Sequence, residues 1–181
     1  MPEVYLLDTN VVLDAILPET HRPNRRAVLA KLEALKTTEA KIALPVIAMA
    51  EVEFGLAKQD SPEQREIEAI RAFWRKHPLH VPIDDGTIEP YALIRGEVFR
   101  RYATARARGR TYREKLPENL CDRVTGKELG IDERDLLIAS VAAQYNYVLV
   151  TNDEGGSMTR LKEAADSLRS KGLQLRLERW S

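Results

Sequence analysis

A chain of 181 residues with 28 Lys and Arg against 28 Asp and Glu carries no net charge. That excludes a global basic signature for nucleic acid, so any such signal must be local. Cys121 is the only cysteine, which excludes an intramolecular disulfide and fits a reducing cytoplasm. The length suits a single domain, 1–181, with a core that needs no staples and room for an insertion. No apolar run approaches the ~20 residues of a membrane span, and the chain enters Val4-Tyr5-Leu6-Leu7 without the basic region of a signal peptide.

Residues 4–7 read as a buried strand and 11–17 as a short helix ending near Pro18. A polar loop, 18–24, precedes a helix over 25–35 whose apolar residues Val28, Leu29, Leu32 and Leu35 follow a helical period. Residues 41–44 form a second strand. Pro45 starts the next helix, 46–58, where its missing N–H does no harm. A helix over 62–76 and a strand over 79–83 follow, then a long helix over 87–106. Residues 109–130 have no apolar period and hold Gly109, Pro117, Gly126 and Gly130, so they read as a long loop or insertion. Order returns with an apolar helix, 136–143, a strand, 147–150, a helix, 158–170, and a last strand, 173–177. Alternating strands and helices imply parallel strands joined by crossovers, with helices on both faces.

Asp8-Thr9-Asn10 stands where the first strand stops, the position at which open α/β sheets bind ligands. All three residues are also good helix caps, and Thr9 or Asn10 is expected to cap the first helix. Three more acids stand out. Asp153 ends Val150-Thr151-Asn152-Asp153, and Asp135 opens the helix before that strand. Glu51 lies within the apolar stretch Val46-Ile47-Ala48-Met49-Ala50, where a carboxylate is costly unless compensated. Each also has a structural explanation. Asp132 with Asp135 fits an N-cap with an acid at N3, Asp153-Glu154-Gly155-Gly156 fits a turn, and Glu51 and Glu53 suit surface ion pairs. No His or Cys accompanies the acids at ligand spacing, so an all-oxygen site would suit Mg²⁺ or Mn²⁺ rather than zinc.

Taken together, Leu6 to Asn10, Val46 to Gly55, Asp135 to Ser140 and Leu149 to Asp153 resemble the successive motifs of the PIN-domain ribonucleases, most closely the VapC-type toxins of bacterial toxin–antitoxin pairs. The ending from Leu173 to Trp180 is also similar. The resemblance implies a PIN-like three-layer α/β sandwich, a central parallel sheet flanked by helices on both faces. It implies endoribonuclease activity with Mg²⁺ or Mn²⁺, an antitoxin partner that offers a basic residue to the acidic pocket, and a homodimer. The family's catalytic acids map onto Asp8, Glu51, Asp135 and Asp153, and its motif polar residues onto Thr9, Asn10 and Thr151. Two features depart from the family. Residues 109–130 are an insertion before the third motif, and Glu154-Gly155-Gly156-Ser157 replaces a pattern in which an aromatic follows the last acid. Asp132 adds an acid one turn before Asp135, and either could face the metal.

Phosphodiester hydrolysis needs a nucleophilic water and stabilisation of charge on phosphate oxygens, both within reach of a carboxylate-held Mg²⁺. Asp8 and Asp153 are expected in direct or near-direct contact with the metal, Asp135 completing a second site or orienting water, and Glu51 acting through water or as a base. Residues 95–115 hold eight basic residues against two acids, a stretch that is either a solvated helix end or an RNA footprint. Arg100, Arg101, Arg106, Arg108 and Arg110 are the expected RNA contacts. Two rivals remain open. A phosphatase using Asp8 as nucleophile would need a second Asp where Asn10 stands, and a catalytically weak PIN-fold module would bind RNA or protein without cleaving.

Overall fold

The computed structural model describes residues 2–103 and 116–181. Five strands form one sheet: β1 (Val4–Leu7), β2 (Lys41–Pro45), β3 (Leu79–Val81), β4 (Val148–Val150) and β5 (Arg176–Glu178), in the order β3-β2-β1-β4-β5. β1 runs parallel to both β2 and β4, and β2 parallel to β3. The alternating α/β class expected from the sequence is the one that forms. β1 is the middle strand, and Leu6 and Leu7 are both fully buried, as expected where a parallel strand is covered on both sides and reads as a continuous apolar run. Leu7 stands opposite Val150, and the Asp8 N–H donates to the Val150 carbonyl at 2.9 Å. The next residue of each strand, Asp8 and Thr151, therefore emerges at the same sheet edge.

The chain groups into two compact units. The first holds residues 1–83, 147–152 and 177–181; the second holds 84–146 and 153–176. In the first unit, α1 (Thr9–Ile16), α2 (Arg25–Leu35), α3 (Val46–Ala57) and α4 (Gln64–Lys76) link the strands. Val12, Val28, Leu32, Val52, Ile70 and Trp74 bring these helices onto a core shared with Tyr5, Leu7, Leu44 and Val150. The last carbonyls of α1 are satisfied by Arg25, whose Nη1 donates to the carbonyls of Ala15 and Leu17, each at 2.7 Å. Pro45 does not start α3. It is the last residue of β2, opposite Val81, and the N-cap of α3; its φ of −68° suits extended backbone as well as a helix start. β3 stops at Val81 because Pro82 has no N–H for the ladder.

His77 closes α4 with its ring 4.6 Å from that of Phe73. Its Nε2 is buried and has no hydrogen-bond partner among the described residues. Burial, aided by Lys76, pulls the imidazole down to about 4. The unfolded chain therefore takes up the proton first, near the ordinary value of about 6.5. Stability is complete above that value and is lost as pH falls toward 4. His77→Phe should remove the loss, so the melting-temperature gap between variant and wild type should widen from pH 8 to pH 5 in thermal scans. A gap independent of pH would contradict the assignment.

The second unit contains α5 (Ile88–Tyr102), α6 (Glu133–Tyr145) and α7 (Ser157–Asp166). Asp84 ties the start of α5 to the end of α6. Its carboxylate accepts Tyr145 OH at 2.7 Å, Gln144 Nε2 at 2.6 Å and the Gly86 N–H at 2.9 Å. These donors hold Asp84 below the usual carboxylate range. The helix expected over 87–106 is described as far as Tyr102, and 104–115 lie outside the described residues. The helix expected over 136–143 starts earlier, at Glu133, because Asp132 caps it. That expected over 158–170 ends at Asp166, with a separate turn at Arg169–Lys171. The last strand is displaced to Arg176–Glu178, since Leu173 and Leu175 are buried in irregular chain.

The described part of the expected loop, from residue 116, is ordered. A turn at Pro117–Asn119 leads into a short hairpin closed by Asp122 N–H to the Lys127 carbonyl at 2.8 Å and Leu129 N–H to the Leu120 carbonyl at 3.0 Å. Leu120, Leu129 and Ile131 are buried, and Arg123 donates to the carbonyls of Arg100 and Ala103 at the end of α5. No helix among the described residues is long and apolar enough to cross a membrane.

Candidate functional site

Asp8 is 3 % exposed at the end of β1 and is the N-cap of α1. The cap is thus Asp8 rather than Thr9 or Asn10, which are already helical. Asp8 Oδ1 accepts the Thr9 N–H at 2.7 Å, while Oδ2 accepts Asn10 Nδ2 at 2.9 Å and Thr151 Oγ1 at 2.8 Å. Three neutral donors orient the buried carboxylate and compensate its desolvation. Asn10 is fixed in turn: its Nδ2 also reaches Thr151 Oγ1 at 3.2 Å, and its Oδ1 accepts the Asn152 N–H at 2.9 Å.

Glu51 joins this edge through Thr9, whose hydroxyl donates to the Glu51 carboxylate. The two acids of α3 therefore divide. Glu53 takes Arg71 Nη2 at 2.9 Å and Trp74 Nε1 at 3.0 Å, as expected of an ion pair. Glu51 faces the helix that Asp8 caps. The first unit brings together Asp8, Thr9, Asn10, Glu51 and Thr151, all expected from the sequence. It adds Asn152 and Asp14, which were not. Asp14 is buried, one turn beyond Asn10, and accepts Asn152 Nδ2 at 3.0 Å, with Arg22 at 3.8 Å. The only sequence signal for Asp14 is an acid inside an apolar helix, the same signal that marked Glu51.

In the second unit, Asp135 and Asp153 both meet the N-terminus of α7. Ser157 Oγ donates to Asp135 Oδ2 at 2.6 Å. Asp153 Oδ2 accepts the Met158 N–H at 3.4 Å, and its Oδ1 accepts the Gly155 N–H at 2.9 Å. A helix N-terminus favours such acids. The turn between them needs its glycines: Gly156 has φ +82°, and a Cβ on Gly155 would come within 3.1 Å of Asp153 Oδ1. Asp132 caps α6 by accepting the Asp135 N–H at 2.8 Å and is ion-paired with Arg134. Ser157 was not singled out in the sequence, since a serine opening a helix reads as a cap.

Arg100 and Arg101 end α5, and both are ion-paired with Glu97, through Nε at 3.0 and 2.8 Å. Arg101 and Arg100 hold the Glu97 carboxyl down to about 2. Arg106, Arg108 and Arg110 lie outside the described residues.

Among the described residues, no group of three or more His, Cys, Asp or Glu side chains is gathered to hold a metal ion. The donor chemistry still fits one class of ion. Asp8, Glu51 and Thr151 in one unit, and Asp135, Asp153 and Ser157 in the other, offer oxygen only. Such donors suit Mg²⁺, which takes one or two carboxylates and keeps several waters, or Mn²⁺.

A family model described as PIN domain matches residues 5–164. No curated protein matches this chain. Among solved structures, the chain is similar to one from a complex of VapBC2 of Rickettsia felis bound to a fragment of its promoter DNA, with TM-score 0.63, 24 % identity, and 98 % of this chain and 99 % of that one covered. It is also similar to VapBC-1 of nontypeable Haemophilus influenzae, with TM-score 0.61, 19 % identity, and 98 % of each chain covered. DNA-bound VapBC of Salmonella typhimurium gives TM-score 0.58 at 18 % identity over 100 % of each chain. At these identities the likeness is one of fold.

Proposed function

We propose, from the premise that this chain belongs to the PIN domain family, that it is a Mg²⁺- or Mn²⁺-dependent endoribonuclease and the toxin of a toxin–antitoxin pair. PIN-domain proteins are generally nucleases. The observation that carries the reading is Asp8, a buried carboxylate at the end of the central strand, oriented by Asn10 and Thr151. Asp8, Asp135 and Asp153 are the proposed metal ligands. Asp132, whose oxygens serve the cap and Arg134, is a supporting residue, as are Thr9, Asn10 and Thr151. A bound metal supplies a water of lowered pKa and a clamp on phosphate oxygens. Glu51, held by Thr9, is the proposed proton acceptor as water attacks phosphorus and the P–O bond to the ribose oxygen breaks, that oxygen leaving as a hydroxyl with a proton taken from solvent.

Incubating the protein with RNA, with and without EDTA, tests this reading. Cleavage that stops on chelation and returns with Mg²⁺ or Mn²⁺ is expected; binding without cleavage would favour the catalytically weak module. Ser157→Ala should lower cleavage about 10-fold at limiting metal, within the ~10–100-fold range seen when groups supporting metal ligands are removed. An unchanged metal dependence would remove Ser157 from the site.

Arg100, Arg101, Arg106, Arg108 and Arg110 are the proposed RNA contacts. Changing Arg106, Arg108 and Arg110 together to Gln should flatten the log–log salt dependence of RNA binding by about 2, at ~0.7 per single-strand contact. An unchanged slope would discard that footprint. A cognate antitoxin and a homodimer are proposed too, in a reducing cytoplasm. The antitoxin proposal draws on the VapBC complexes among the similar structures. For the homodimer, α3 supplies support: Val46, Ala50 and Phe54 form an exposed apolar stripe, with Phe54 65 % exposed.

A further inference from the structure

Asn152 carries more bonds than a residue two places past a strand needs. Its side-chain Oδ1 accepts the backbone N–H of Trp180 at 2.9 Å. Its Nδ2 donates to Asp14 Oδ2 at 3.0 Å and lies 3.4 Å from the Trp180 carbonyl. Its own N–H donates to Asn10 Oδ1 at 2.9 Å. Asn152, Asp14 and Trp180 are all buried. Trp180 is anchored independently, its ring 5.5 Å from that of Tyr5 and its Nε1 donating to Glu178 at 3.1 Å.

The polarity of these groups matters more than their number. A carboxamide can turn over, exchanging its oxygen and nitrogen at little steric cost. A turned Asn10 would aim its oxygen at the Asp8 carboxylate. The Asn152 N–H, which can only donate, holds Asn10 the other way, with Nδ2 toward Asp8 and Thr151. Asn152 is in turn held between a group that can only donate, the Trp180 N–H, and one that accepts, the Asp14 carboxylate.

We propose that Asn152 is a positioning residue, which with Asp14 and the Trp180 backbone couples the segment that follows β5 to the orientation of Asn10 and thereby to the Asp8 carboxylate as a metal ligand. The proposal rests on the nuclease reading above. It makes the docking of Trp180 a determinant of metal affinity, although Trp180 touches none of the proposed ligands through the bonds described.

Two pairs of variants test it. Asn152→Asp keeps size and the acceptor for Trp180 but sets a second carboxylate against Asp14. Adding Asp14→Asn restores a donor–acceptor pair with its polarity reversed. A chain ended after Arg179 loses the Trp180 N–H and carbonyl, whereas Trp180→Phe keeps both. Mn²⁺ affinity is measured by electron paramagnetic resonance of the free ion, kcat and KM on RNA are measured beside it, and folding is checked by circular dichroism.

Asn152→Asp and the shortened chain should each bind Mn²⁺ about 10-fold more weakly or worse, with kcat reduced and KM for RNA unchanged. The double variant and Trp180→Phe should retain most of the affinity. Folded single and shortened variants with wild-type Mn²⁺ affinity would overturn the coupling while leaving the nuclease reading intact. Wild type that binds no Mn²⁺ would overturn both.

Discussion

Asp8→Asn is expected to lower metal-dependent RNA cleavage by about 10²–10³-fold, the size of loss that follows removal of one preorganised electrostatic group. The variant should nevertheless fold. Asp8 accepts from Thr9, Asn10 and Thr151, and an amide nitrogen in place of one carboxylate oxygen would face a donor. Such a mismatch costs about 1–3 kcal/mol, less than the roughly 5–15 kcal/mol stability of an ordinary domain. Removing a charge from a buried site offsets part of it. The distinguishing signature is therefore an intact cooperative melt, lost cleavage, and no added stability from Mg²⁺. Wild type should gain stability with Mg²⁺ by mass action. A folded Asp8→Asn protein with full cleavage would remove Asp8 from the chemistry.

Leu7→Ala should have the largest effect on stability, about 2–5 kcal/mol as for other buried leucines cut to alanine. Leu7 is fully buried, sits in the middle strand, and belongs to the core of Leu44, Val12 and Val150. The cavity would also adjoin the backbone that carries Asp8, so metal binding should weaken along with the urea midpoint. Val124→Ala makes the control, because a side chain as exposed as Val124 usually changes stability by no more than about 0.5 kcal/mol. A Leu7→Ala urea midpoint as close to wild type as that of Val124→Ala would contradict the placement of the core.

The parts of this fold that the sequence declared are those where one physical rule acts alone. β1 and β4 are buried parallel strands, so they read as unbroken apolar runs, and the polar residues after them mark the sheet edge. α2 spans the predicted residues 25–35 because its apolar period is uninterrupted. Where two rules competed, the boundary moved. Asp8, Thr9 and Asn10 can each cap a helix, and only the path of β1 decides that Asp8 does. Leu120, Leu129 and Ile131 are too widely spaced to show a period, so an anchored hairpin looked like loop. Leu173 and Leu175 read as strand because of an apolar character that serves the core without a ladder.

The candidate site divides in the same way. Its acids were visible because carboxylates ending strands or interrupting an apolar helix carry a cost that needs a reason. The groups that orient them were not. Asn152, Ser157 and Asp14 are residue types that turns, caps and solvated helices use everywhere, and their roles exist only as directed bonds to residues far away in the chain. Asn152 to Asn10 and Ser157 to Asp135 are such bonds.

The central claim is that Asp8 is a ligand of a divalent metal. Crystals soaked in Mn²⁺ and measured for anomalous scattering test it most directly. The account predicts a peak in direct contact with an Asp8 carboxylate oxygen, absent from Asp8→Asn crystals treated alike. Mn²⁺ peaks confined to other acids, with none in contact with the Asp8 carboxylate, would contradict it.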